Sequence, residues 1–182
     1  MQLQELTLAR VVTRARSQFE TAISVTPETC LSLGSRILAI GTGECRVRVM
    51  NTDTSKVVSS SRYTVVNGTS GTSRAYPLDP IQFGYLEVMP QSSLRGISSL
   101  IGPAKEVVVV GHTAILTGSN RWNDYLSQQR AENVKHLLRR FGVATRITTV
   151  ALGGTAPISR VLTEAEQRQN RRVIIYVVPK GN

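Results

Sequence analysis

Arg130 is the ionisable side chain that its sequence surroundings constrain most. Read at 100° per residue, Leu126, Val134, Leu137, Leu138 and Phe141 fall on one stripe of a helix, with Ala131 at its edge. Gln128, Glu132, Lys135, His136, Arg139 and Arg140 take the opposite face. Arg130 lies four residues after Leu126 and four before Val134, so it points from the middle of the apolar stripe. A guanidinium keeps its proton, so once water is withdrawn it needs an anion or several acceptors. Near the start of a helix it could instead run its charged end out to solvent along its own stem.

Catalysis has less to work with. Ser119, His112 and Asp124 are near in sequence, and a hydrolase triad could be drawn from them. No nucleophile-elbow motif is present, and a histidine following a buried strand is more often a structural hydrogen bonder. The expectation is a protein that is not an enzyme. Cys30 and Cys45, 15 positions apart, could close a loop worth about 3 kcal/mol in an oxidising compartment, or stay as two buried thiols. His112 and His136 are far from them in sequence, so no metal signature is assembled, and no cofactor is expected.

The segments that must position Arg130 flank it. Residues 106–110 (EVVVV) form a β-branched run suited to a strand buried on both faces, stopped by Gly111-His112-Thr113. The loop over 113–121 then lies where that strand ends and the helix opened by Asn123-Asp124 begins, a place where ligands often sit. Residues 146–152 read as the next strand, closed by Gly153-Gly154. Residues 164–170 read as a short polar helix, and 171–178 as the last strand, stopped by Pro179. Upstream, 81–88 reads as a strand ended by Met89-Pro90, and 92–100 as a short helix.

In order and spacing these residues resemble a family. Gly111-His112-Thr113, Gly118, Asn123, Leu126-Ser127 and Arg130-Ala131 match the signature of OmpA-like C-terminal domains. Gly142, Arg146, Gly153, Pro157, Arg168 and Asn170-Arg171-Arg172-Val173 match its second half. The resemblance covers about residues 76–179. It implies an α+β fold, a βαβαβ mixed sheet with helices packed on it, in the bacterial cell envelope. It implies non-covalent binding of peptidoglycan through the diaminopimelate of the stem peptide. It also implies roles: Arg130 holds a diaminopimelate carboxylate, and Thr113, Asn123 and Arg172 line the pocket.

The chain departs from that pattern where the ligand's ammonium would sit. The family has an aspartate directly after Gly-His-Thr; here that position is Ala114. The loop from Ala114 to Gly118 carries one extra residue, and Ile115 and Leu116 accept no hydrogen bond. The first strand, usually Phe-Asp, reads Phe83-Gly84. Losing a charge-assisted bond costs about 1.5–3 kcal/mol, one to two decades of affinity. Weakened binding of peptidoglycan is therefore expected.

The N-terminal part resembles no family. Leu3, Leu6, Leu8, Val11, Val12, Ala15, Phe19 and Ile23 are compatible with a helix facing a core, although residues 21–26 are β-prone and an arm that orders on a partner is an alternative. Residues 36–40 and 45–50 suggest a hairpin joined by Gly41-Thr42-Gly43-Glu44. Arg46 and Arg48 alternate with Val47 and Val49, which puts both arginines on one face, either the solvated face of an edge strand or a contact to an acidic partner. Lys56-Val57-Val58 and residues 63–66 could extend the sheet. The polar, glycine-rich stretch 67–73 marks a boundary, giving a mainly β region over 1–75 and an OmpA-like domain over 76–182.

Net charge is +10, with 22 Lys and Arg against 12 Asp and Glu, spread over both halves. Such a surface suits polyanions, including the carboxylates of cell wall. Aromatic content of 5% offers little for stacking on bases, so no nucleic acid is expected. No apolar run reaches the length of a membrane span, and Met1 is followed by a mixed segment, so any export signal is expected to be removed or to lie outside this sequence. Two functions fit. One is a periplasmic module tying an envelope component to peptidoglycan at the outer membrane or wall of a Gram-negative bacterium. The other is a structural subunit of an envelope-spanning secretion, conjugation or pilus machine that uses the fold for protein contacts.

Overall fold

The computed structural model describes residues 2–4, 8–10, 21–26, 29–33, 36–66, 75–115 and 118–180; of 2–4, 8–10, 21–22 and 66 it describes the backbone. Backbone packing divides the chain into two compact units, Met1–Thr72 and Ser73–Asn182.

Among its described residues, the regular structure of the first unit is all β. Its strands are β1 (Gln2–Gln4), β2 (Leu8–Arg10), β3 (Thr21–Ser24), β4 (Cys30–Leu33), β5 (Arg36–Ala39), β6 (Gly43–Asn51) and β7 (Val57–Val66). They form two sheets, ordered β1-β7-β6-β3 and β2-β5-β4. Of the alternatives open for the first residues, 2–4 and 8–10 are strands, because pairing with β7 and β5 outweighs the helix-compatible periodicity. Residues 5–7 and 11–20 of that reading lie outside the described residues.

The expected hairpin of 36–40 with 45–50 is also replaced. β5 belongs to one sheet and β6 to the other, and the segment between them is tied to Thr29 through the N–H groups of Ile40 and Gly41. β6 turns back on β7 instead. Asn51 makes that turn, its Oδ1 accepting from the N–H groups of Asp53 and Thr54 at 2.9 and 3.0 Å. β6 is therefore an inner strand, not an edge: Val47 and Val49 face the core, and Arg46 pairs across its own face with Glu44 at 2.7 Å. A disulfide joins Cys30 on β4 to Cys45 on β6, linking the two sheets through the core of Ile37, Val47 and Val65.

The second unit is α+β. It runs β8 (Tyr76–Pro77), β9 (Ile81–Gln82), α1 (Ile97–Ile101), β10 (Ala104–Gly111), α2 (Asn120–Arg140), β11 (Arg146–Ala151), α3 (Glu164–Asn170) and β12 (Arg172–Pro179). The sheet order is β11-β10-β12-β8, with β9 also on β12. β10 and β11 are parallel, joined by α2 as crossover, and β12 runs antiparallel between β10 and β8. Ala131, Val134 and Leu138 of α2 are wholly enclosed against Val107, Val109, Ile175 and Val177, while Leu137 and Phe141 pack at the margin.

Two boundaries move for reasons that concern the site. α2 starts at Asn120, earlier than Asn123-Asp124, because Ser119 caps it, its Oγ accepting from the Trp122 N–H at 3.3 Å. The strand expected over 81–88 stops at Gln82, and the segment after it leaves the sheet to wrap the Arg130 guanidinium. The short helix expected over 92–100 begins only at Ile97, behind Gly96 at φ +80°.

Candidate functional site

Gly111 closes β10 and fixes the site's floor. A Cβ there would stand 2.0 Å from the carbonyl oxygen of Ser127, so only glycine lets α2 approach the strand this closely. Beyond it the chain turns through His112, Thr113 and Ala114, all buried. Backbone bonds pin this turn to its neighbours: the His112 N–H donates to the Arg172 carbonyl at 2.9 Å, and the Thr113 N–H to that of Gly153 at 2.8 Å. Ser127 Oγ accepts from the Gly153 N–H at 3.0 Å, so the loop after β11 is held to α2 as well.

Arg130 is 0% exposed. Its Nε donates to the Glu87 carbonyl at 2.8 Å, Nη1 to that of His112 at 3.0 Å and Nη2 to that of Gly84 at 3.1 Å, with its guanidinium 5.2 Å from the centre of the Phe83 ring. Of the sequence alternatives, the guanidinium takes several acceptors. Burial, reinforced by the Arg171 charge and opposed by Glu87, pushes its pKa down to about 10, which leaves it charged at neutral pH.

The loop 153–156 gathers the other three candidates. Thr113 binds the Gly153 carbonyl, and a Cβ on Gly153 would stand 3.3 Å from Asn123 Cβ. Arg172 Nη2 donates to the Ala156 carbonyl at 3.1 Å. Thr113, Asn123 and Arg172 thus surround one loop, whereas Arg130 reaches them only through the His112 backbone.

Polar capacity is left unspent around that loop. Thr113 Oγ1, Asn123 Oδ1, His112 Nδ1, and Nε and Nη1 of Arg172 are buried without a protein partner. Native interiors rarely leave such atoms unpaired, and a cluster of them marks a place built for a ligand or ordered water. Burial lowers the pKa of Arg172 to about 10, so it remains a cation. His112 is pushed down to about 3, by burial first and the Arg172 charge second, against a hydrogen bond to the Ala156 backbone. The site therefore offers a cation, two donor nitrogens to spare and neutral acceptors. His112 does not meet Ser119 or Asp124 in any hydrogen bond among the described residues, and Ser119 Oγ is spent on the helix cap.

Sequence reasoning left two organising residues without a role. Gln167 Oε1 accepts from the Ile115 N–H at 2.8 Å, and its Nε2 donates to the Val161 carbonyl at 2.6 Å. Asn170 Oδ1 accepts from the N–H groups of Ile158 and Ser159 at 2.7 and 3.1 Å. Their i, i+3 spacing puts both amides on the one face of α3 that is buried. Leu116, part of the lengthened loop, lies outside the described residues.

Part of the chain is similar to known proteins. The OmpA family matches residues 86–171. Outer membrane porin F of Pseudomonas fluorescens is 46% identical over 72 residues, 39% of this chain and 22% of that protein. A peptidoglycan-associated lipoprotein of Buchnera aphidicola is 40% identical over 74 residues, 40% of this chain and 42% of that protein. The chain thus spans less than half the length of these curated relatives. The crystal structure of the peptidoglycan-associated lipoprotein from Burkholderia pseudomallei is 26% identical, with a TM-score of 0.49, covering 53% of this chain and 88% of that one. Residues 86–171, which hold α2, β10, β11 and the loops around Thr113, Asn123 and Arg130, are an OmpA family domain.

Proposed function

We propose that this chain is a non-enzymatic protein of the Gram-negative periplasm, with residues 76–182 as a weak peptidoglycan-binding domain and 1–75 as a separate β domain. The observation that supports this reading most is the set of unspent buried polar atoms on Thr113, Asn123 and Arg172 around the loop 153–156. A stem-peptide carboxylate takes the free N–H groups of Arg172. Its ammonium turns to Thr113 Oγ1 and Asn123 Oδ1. With Ala114 where relatives of this pattern carry a carboxylate, that ammonium meets only neutral oxygens, so one charge-assisted bond is missing and affinity falls. Arg130 holds the walls of the site in place through the His112 carbonyl.

Co-sedimentation with purified sacculi tests the reading. Wild type should sediment partly, Arg172→Gln should stay in solution, and Ala114→Asp should sediment more fully. If neither wild type nor Ala114→Asp sediments, the wall is not the partner. A second reading then takes over, favoured by the complete engagement of Arg130 with backbone carbonyls. In it the chain is a structural subunit of an envelope machine, and the same protein should be retained by its assembly partners in a detergent extract.

A further inference from the structure

The end of the second unit away from the site loops carries a different surface. α2 runs from Asn120 at the site to Arg140, a span of roughly 30 Å. At its far end β10 begins at Ala104 opposite Pro179 of β12, and β11 begins at Arg146 opposite Glu106. These ends bring Lys105, Arg139, Arg140, Arg146 and Lys180 to one pole, all exposed. Among the described residues there, the carboxylate of Glu106 is buried; it accepts from Thr148 Oγ1 at 2.7 Å and faces Arg146 Nε at 3.8 Å.

A cleft of about 530 Å³ opens at this pole, lined by Ser98, Ile101, Lys105, Gly142, Thr145 and Lys180. Beside it, α1 turns Ile97 and Ile101 into the core and leaves Leu100 64% exposed. A lone exposed leucine is ordinary. One set beside five cations and a cleft of headgroup size has the composition of a membrane-surface contact.

We propose that this pole docks on an anionic phospholipid bilayer. Headgroup phosphates seat against Lys105 and Lys180 at the cleft and against Arg140 at the adjacent end of α2, and Leu100 enters the acyl boundary. Charge complementarity selects an anionic partner. The leucine selects among anions, because it adds nothing to a contact with a nucleic-acid backbone, whereas burying it in acyl chains is favourable. The distance along α2 leaves the site loops free while the pole is engaged.

Co-flotation of the full chain with phosphatidylcholine vesicles, with and without phosphatidylglycerol, tests this at low and high salt. Wild type should float only with the anionic vesicles, and added salt should release it. Each basic side chain near such a surface contributes about fivefold, so Lys105→Glu with Arg140→Glu should lower partitioning by at least about tenfold. Leu100→Ser should lower it severalfold and leave retention on heparin unchanged. Thermal melts of these exposed-site variants should match wild type. Equal flotation with neutral vesicles would overturn the proposal, as would charge-reversal or Leu100→Ser proteins that float like wild type. Loss of heparin and vesicle binding together in Leu100→Ser would also overturn it, since it would mark a general polyanion surface.

Discussion

The guanidinium of Arg130 donates through Nη1 to the carbonyl of His112 at 3.0 Å, tying the middle of α2 to the turn that leaves β10. Its other two bonds reach Gly84 and Glu87, so one side chain fastens three segments. Arg130→Ala would leave three carbonyls unpaired in the interior together with a cavity. The expected cost is about 3–5 kcal/mol in urea unfolding. Arg130→Lys should recover only part of it, because one ammonium cannot reach carbonyls on separate segments. Loss of sacculus binding in Arg130→Ala would therefore report on folding first, and Arg172→Gln is the cleaner probe of the site. A midpoint for Arg130→Ala within experimental error of wild type would show that the staple is dispensable.

Gly111 gives a sharper steric test. Its added Cβ would meet backbone, the Ser127 carbonyl oxygen at 2.0 Å, and backbone yields less readily than a flexible side chain. Gly111→Ala should destabilise by about 2–3 kcal/mol through displacement of α2. Chemical-shift changes should centre on Ser127 and Gly153, which are joined to each other by the Gly153 N–H bond to Ser127 Oγ. Spectra unchanged at those two residues would contradict the close packing.

How far the sequence foretold this depends on whether the signal was local. The β-branched run of β10, the apolar stripe of α2 and the α3 helix over 164–170 were legible, because periodicity and composition alone specify them. The position of Arg130 on the stripe was legible too, but not its partners. Those are carbonyls of Gly84 and Glu87, 46 and 43 residues away, and no side-chain pattern announces a carbonyl. The same contact explains why the strand over 81–88 is cut short at Gln82. Ser119 as cap and Asn51 as turn residue were readable signals that competing motifs nearby obscured. Membership of β5 and β6 in different sheets was not readable, since either could pair with any strand of matching pattern.

Neighbouring leucines on α2 should respond unequally. Leu138 is wholly enclosed among Val107, Val109 and Ile175, while Leu137 is only partly buried. Leu138→Ala should cost about 2–5 kcal/mol, and Leu137→Ala roughly half of that because part of its surface is already in water. Urea midpoints of the two variants decide it. The reverse order would place the helix in a different rotation on the sheet.

The Cys30–Cys45 bond crosses between the two sheets of the first unit, with both cysteines fully buried. Closing a loop of this length contributes about 3 kcal/mol. Protein matured in the periplasm should show no titratable thiol when unfolded without reductant. Cys30→Ala with Cys45→Ala should lower the stability of the first unit and leave the unfolding of the second unchanged. Two free thiols in periplasmic protein would count against the bond.

Acid should weaken the second unit through His112. In the folded chain this imidazole is held neutral down to about pH 3, by burial and by the Arg172 charge, while the unfolded chain takes up the proton near the ordinary value of 6.5. The neutral side chain's contribution to stability is complete above 6.5 and is lost as pH falls from 6.5 towards 3. The loss approaches about 1.4 kcal/mol per pH unit. Glu132, which burial raises but which bonds to Thr149 and Lys135 and the neighbouring charges together bring below its ordinary 4.5, adds a loss of the same sign, but only at more acid values. The interval between pH 7 and 5 therefore isolates the histidine, and stability should fall by about 2 kcal/mol across it. His112→Asn, which cannot take a proton, should make that interval nearly flat at a lower overall stability. A ligand seated on Arg172 should lessen the acid sensitivity, since neutralising that charge raises the pKa of His112. If wild type and His112→Asn lose stability equally between pH 7 and 5, the imidazole titrates as it would in water, and the turn after β10 is open to solvent.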